Sequence, residues 1–190
     1  MCHKLLADAS LYAFLERCDQ DLADEARAGG CLVCGGKVHS ARYRRKPRGG
    51  PAGLGGDFER RLSFCCSREG CRSRLTPPSL RFLGRRVYLG AVVALVSAMR
   101  SGPSPMRVAE LTKLVGASRR TIERWRRWWG EAFAGSPFWK AAAGRFVPPI
   151  GREDLVRSLL SRFAGDERER LIGMLRFLAP LTTGSHAMAP

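Results

Sequence analysis

Cys31-Leu32-Val33-Cys34-Gly35-Gly36 and, one long hairpin further on, Phe64-Cys65-Cys66-Ser67-Arg68-Glu69-Gly70-Cys71 are the stretches on which the fold turns. Two thiolates separated by two residues, with glycines behind them, let backbone amides curl around the sulfurs. That bite fills half of a tetrahedral shell and requires a second pair. The spacing C-x2-C-x31-C-x4-C supplies it, and Gly70 marks Cys71 as the firmer member of that pair. Neighbouring strand residues point to opposite faces, so only one of Cys65 and Cys66 can reach the metal. If Arg60–Cys66 is a strand, Leu62, Phe64 and Cys66 share a face, which favours Cys66 and leaves Cys65 as the alternative. The expected ligands are Cys31, Cys34, Cys66 and Cys71 around one structural zinc ion, because four thiolates leave no position open for water. Four inert buried thiols or a disulfide pairing are the competing readings. His39 lies inside the presumed strand and reads as an ordinary polar residue, while Cys2 and Cys18 fall outside the pattern.

Outward from this module the texture changes on both sides. Towards the N-terminus, residues 7–26 place Leu11, Tyr12, Leu15, Cys18 and Leu22 at spacings of three and four, an amphipathic helix that Gly29-Gly30 ends. Within the module, Lys37–Arg45 and Arg60–Cys66 read as strands flanking a Gly-rich tip, made basic by Arg42, Arg44, Arg45, Lys46 and Arg48. Thr76-Pro77-Pro78-Ser79 closes it, and the almost wholly apolar Val87–Met99 reads as a buried helix.

A second motif begins at Met106. Val108–Val115, a turn at Gly116-Ala117-Ser118, and Arg119–Trp129 have the rhythm of two short helices joined tightly. Val108, Leu111 and Val115 are expected to face Ile122 and Trp125. Ser118 is placed to cap the second helix, whose exposed side carries Arg119, Arg120, Thr121, Glu123 and Arg124. Arg can bridge guanine acceptors, Thr can touch a base edge or phosphate, and Glu can accept from cytosine. Arg126 and Arg127 suit the phosphate backbone better. The plainer alternative is a helical hairpin with a solvated basic face. After Pro148-Pro149, Arg152–Phe163 and Glu167–Leu178 read as helices with Leu155, Leu159, Leu160, Phe163, Leu171, Leu175 and Leu178 on the apolar side.

Charge agrees with these placements. The 190-residue chain carries 33 basic and 17 acidic side chains, net +16. Residues 1–30 are net −3, whereas 31–99 are net +11 and 100–130 net +6. A field of that sign draws the middle of the molecule towards a polyanion, and the expected DNA contacts are Ser118, Arg119, Arg120, Thr121, Glu123, Arg124 and Arg127 of the second motif with Arg44, Arg45, Lys46 and Arg48 of the hairpin tip. No secretory signal and no apolar run long enough for a bilayer are visible, so a reducing cytoplasm and no membrane are expected.

The expected architecture is therefore α+β, a small four-cysteine zinc ribbon joined to a mainly α-helical helix-turn-helix domain. Its expected units are an N-terminal helix (1–30), the ribbon (31–78), a linking helix (79–101), the helix-turn-helix (102–147), C-terminal helices (148–180) and a tail (181–190). On Cys31-x-x-Cys34, Cys66-x4-Cys71, the Thr-Pro-Pro-Ser exit and Ser118-Arg-Arg-Thr-Ile-Glu-Arg-Trp, the chain resembles the zinc-ribbon plus helix-turn-helix DNA-binding proteins of bacterial insertion sequences. The likeness covers roughly residues 31–130. It implies a transposon-associated accessory protein or transcriptional regulator that binds double-stranded DNA, with a transposase or other protein as partner. A homodimer through the C-terminal helices is a further expectation. Glu153, Asp154, Asp166, Glu167 and Glu169 lie on helix-like surface sequence with no strand pattern to present them to catalytic metals, so no enzymatic activity is expected. The rival readings are an RNA- or protein-binding adaptor and a metal-dependent nuclease.

Overall fold

The computed structural model describes residues 2–45, 53–83, 89–97, 104–151 and 153–183. The chain is α+β, with eight α-helices and two small antiparallel sheets among the described residues. Lys46, Arg48 and part of the Gly-rich tip lie outside the described residues, as do both ends of the apolar run Val87–Met99.

Helix α1 (Cys2–Leu6) leads into α2 (Ala9–Ala28). The break falls at Asp8, whose carboxylate accepts from the Ser10 amide at 2.9 Å and caps α2. The buried stripe of α2 is Leu11, Tyr12, Leu15, Cys18, Asp19 and Ala23, at the three- and four-residue spacing that keeps one face inward. Leu22 is only half-buried, and an acid, Asp19, occupies the stripe instead.

The hairpin is broken into two rungs. Strand β1 (Val38–Ser40) pairs with β4 (Phe64–Cys66), and β2 (Tyr43–Arg44) pairs with β3 (Arg60–Arg61). The Ala41 amide, donating to the Ser63 carbonyl at 2.8 Å, carries the ladder across the gap. β5 (Arg74–Leu75) adds to the other edge of β4. This sheet has its own small core of Val38, Leu62, Phe64, Cys31 and Cys66, closed from α2 by Ala23.

The larger core belongs to the helices. α3 (Gly90–Ser97) is buried on every side from Gly90 to Val96, as its unbroken apolar sequence requires. Around it pack α1, α5 (Arg119–Trp128), α7 (Leu155–Leu160) and α8 (Glu167–Leu178). α4 (Pro105–Val115) precedes α5, and α5 widens into a π-helical turn at Trp129–Phe133 before α6 (Pro137–Ala142). Trp129 and Phe133 lie edge to face, their ring centroids 4.8 Å apart, beneath that turn.

A buried polar node ties the two cores together. Asp19 is 1% exposed and Arg81 2% exposed, and Arg81 Nε donates to the Asp19 carboxylate at 2.9 Å. Asp19 also accepts from the Leu80 amide at 2.6 Å and from the Ser79 hydroxyl. The other guanidinium nitrogens donate to the Phe58 and Arg60 carbonyls at 3.0 and 3.1 Å, with the rings of Phe58 and Phe82 each 5.2 Å from the cation. Nearby, buried Arg61 donates to the carbonyls of Pro77 and Thr182. Burial holds its pKa below the ordinary arginine value, against the pull of Asp19. The Thr-Pro-Pro-Ser segment is thus a junction between α2, the hairpin and the C-terminal turn.

Candidate metal centre and the basic face of α5

The thiols of Cys31, Cys34, Cys66 and Cys71 all lie within 4.8 Å of one another. Cys31 faces Cys71 at 3.8 Å and Cys34 faces Cys66 at 3.5 Å. The first knuckle folds because the Cys31 amide donates to the Gly36 carbonyl at 2.9 Å, while the Gly35 amide donates to the Cys31 carbonyl at 2.8 Å. A Cβ on Gly36 would sit 3.3 Å from Cys34 Sγ, a tight contact, and 3.5 Å from Cys66 Sγ, so a larger residue there would crowd the first sulfur. In the second knuckle the Cys71 amide bonds to the Arg68 carbonyl at 3.1 Å, and the Arg68 amide donates to Cys66 Sγ at 3.4 Å.

These environments spread the thiol acidities. Amides of Val33 and Cys34 stabilise the Cys31 thiolate and bring its pKa down to about 6. The Arg68 amide acts in the same direction on Cys66, but desolvation and the neighbouring thiols outweigh it and push Cys66 up to about 12. Cys71 is likewise raised, because Cys34, desolvation and Cys31 together exceed the help of the Ser73 amide. Four thiolates this close repel one another, and a cation between them removes the conflict. The cluster can hold a metal ion.

Cys65 points away from the four. Its Sγ lies near the Arg72 carbonyl at 3.5 Å, and its cross-strand neighbours are His39 and Arg74. His39 is exposed on that same row, on the side of the sheet opposite the cluster.

The chain matches no protein-family model, no curated protein and no solved structure.

The second group of candidate residues lies on α5. Gly116, with φ +64°, turns the chain out of α4, and Thr112 Oγ1 donates to the Ala117 carbonyl at 2.9 Å to hold the turn. Ser118 caps α5 by accepting from the Thr121 amide at 3.4 Å, so its hydroxyl is engaged inside the protein. Leu111, Val115, Ala117, Ile122 and Trp125 are buried together, and Val108 is half-buried. The opposite side exposes Arg119, Arg120, Glu123, Arg124 and Arg127, with Thr121 half-exposed. Arg119 Nε donates to Glu123 at 2.9 Å, one turn along the helix.

The hairpin arginines divide. Arg44 is exposed, whereas Arg45 leans on Tyr43, its guanidinium 5.2 Å from the ring and donating to the phenol oxygen at 3.2 Å. The acids of the C-terminal region serve local roles. Asp166 and Glu169 form a reciprocal cap on α8, and Asp154 pairs with Arg157 at 3.5 Å. The Asp19–Arg81 node has one signal in the sequence, an acid at a stripe position of α2. Lys37, Arg68, Arg72 and Arg74, scattered in the sequence, are exposed on the segments that carry the knuckles.

Proposed function

We propose that this chain is a double-stranded-DNA-binding protein without catalytic machinery, combining a zinc ribbon with a helix-turn-helix. The observation that carries the reading is the face of α5. A capped ten-residue helix buries Ile122 and Trp125 and presents Arg119, Arg120, Glu123, Arg124 and Arg127 to solvent. Such a helix, entered through a tight turn from α4, has the length and side chains needed to lie in a major groove and read base edges near its N-terminus. The net charge of +16 supports a polyanionic partner.

Zinc is the metal that suits the cluster. Zinc–sulfur bonds of about 2.3 Å place the sulfurs of a tetrahedron about 3.8 Å apart, close to the 3.8 and 3.5 Å separations here. All-thiolate ligation gives the ion a structural role, holding the two knuckles together, and reduced thiols suit a cytoplasmic setting. A role as a transposon-associated accessory protein or transcriptional regulator follows from the resemblance in sequence.

The test is selection of bound sequences from a randomised duplex pool, followed by anisotropy titration. Enrichment of one motif, and a loss of about 1–3 kcal/mol on that motif for Arg120→Ala with a smaller loss on mixed-sequence DNA, are expected. No enrichment, or stronger binding to structured RNA, would overturn the reading, since a groove-reading helix engages A-form RNA poorly.

A further inference from the structure

The tip of the first knuckle is apolar and bare. Leu32 is 84% exposed and Val33 74% exposed, between two cysteines whose thiols turn inward. A projecting pair of aliphatic side chains at the apex of a tight turn has nothing to gain from its own fold.

The two segments that carry the knuckles are cationic. Residues 31–40 and 64–75 hold Lys37, Arg68, Arg72 and Arg74 against a single acid, Glu69, and all four cations are exposed. None of the four forms an ion pair among the described residues. Arg74 lies on the Cys65 row, opposite the thiols, whereas the thiol cluster joins the segments that carry Lys37, Arg68 and Arg72. Ser67 donates through both its amide and its hydroxyl to the Lys37 carbonyl, at 3.0 and 2.9 Å, and Arg68 Cβ lies 3.8 Å from where a Gly36 Cβ would stand. The Arg72 amide is tied to the Arg68 carbonyl at 3.3 Å, so one turn sets both arginines and carries Cys71.

We infer that this knuckle tip is a second DNA-contacting surface, in which Leu32 and Val33 enter a duplex groove while Lys37, Arg68 and Arg72 grip the phosphates on its rims. The inference rests on the DNA-binding reading and moves the module's contact from the hairpin arginines to the knuckles. Shape decides the class of partner. The apolar pair projects, so it fits a concave apolar floor, and its cationic collar requires anionic walls. A nucleic-acid groove supplies both, with sugars and base edges below and phosphates on either side. An acidic helical peptide would instead need a concave apolar seat on this protein.

The experiment uses the metal-loaded full chain, a labelled mixed-sequence duplex and a salt titration. Arg68→Ala/Arg72→Ala is expected to flatten the slope of log K against log salt by about 0.9 per lost phosphate contact. Leu32→Ser/Val33→Ser is expected to weaken binding about tenfold at an unchanged slope, as for an apolar side chain left in water. Metal content by elemental analysis should equal that of the unaltered chain in both. An unchanged slope in the arginine variant, or a loss of metal instead, assigns the collar to balancing the thiolate charge and overturns the inference. Equal competition by polyglutamate at matched charge overturns it in favour of an acidic protein. Arg119→Ala/Arg120→Ala separates the two readings: if it alone weakens DNA binding, the knuckle surface fails and the function stands. If the unaltered chain binds no duplex, the function fails and this surface with it.

Discussion

Replacing Asp19 by Ala removes the anion at the centre of the buried node while leaving Arg81 in place. Three hydrogen bonds are lost, from Ser79 Oγ, the Leu80 amide and Arg81 Nε. The guanidinium keeps the Phe58 and Arg60 carbonyls, two aromatic faces, and Glu16 at 3.5 Å, whose side chain is 40% exposed. Breaking a buried pair costs about 3–5 kcal/mol. The retained carbonyls and rings pull the figure down, and the stranded Leu80 amide pushes it up by about 1–3 kcal/mol, so about 4 kcal/mol is expected overall. At about 2–4 °C per kcal/mol for a chain of this size, the midpoint should fall by about 8–16 °C in calorimetry of the metal-loaded protein. Asp19→Leu/Arg81→Met, which removes both charges, should recover most of that loss. A single-variant loss below about 1 kcal/mol, or a double variant worse than the single, would refute the claim that an uncompensated buried cation is the cost.

Cys66→Ser should lose the bound metal, whereas Cys65→Ser should retain it; elemental analysis of the two decides which of the adjacent thiols is a ligand. Loading the metal-free protein near neutral pH should release protons, because Cys66, at about 12, is still protonated there while Cys31, at about 6, is mostly ionised. Metal affinity should therefore weaken as pH falls and protons reclaim the thiolates; loading without proton release into an indicator dye would contradict this. The Asp8 carboxyl is held below its usual value by its bond to Ser10, with the Ser10 and Leu11 amides and Arg168 adding to the effect against desolvation. Its contribution to stability is present above about pH 4 and lost as pH falls through the depressed value, so Asp8→Asn should flatten the acid limb of a urea-midpoint profile. Ser118→Ala removes the cap of α5 and should cost about 1 kcal/mol, read by the same urea titration.

What the sequence determined by itself was local. Thiol spacing narrowed the cysteines that can share a metal to Cys31, Cys34, Cys71 and one of Cys65 and Cys66, because a knuckle is a turn of a few residues whose geometry depends on its own glycines. Strand alternation allowed only one of Cys65 and Cys66 and favoured Cys66, which the folded chain brings within reach of the other three. The caps at Ser118 and the buried stripe of α2 were legible for the same reason: each is set within a turn or two of helix. Even there the strands came out shorter than expected, the hairpin breaking between Arg61 and Phe64 as Arg61 turns inward to the Pro77 and Thr182 carbonyls. Tertiary structure decided what depends on residues far apart in the chain. Asp19 and Arg81 are 62 positions apart and Arg61 and Thr182 are 121 apart, so neither partner announces the other. The same holds for Lys37, Arg68 and Arg72, scattered charges in the sequence that are carried on two knuckles whose four sulfurs come within 4.8 Å of one another. A thiol cluster is readable from spacing, but the surface that it assembles exists only once the chain has closed around it.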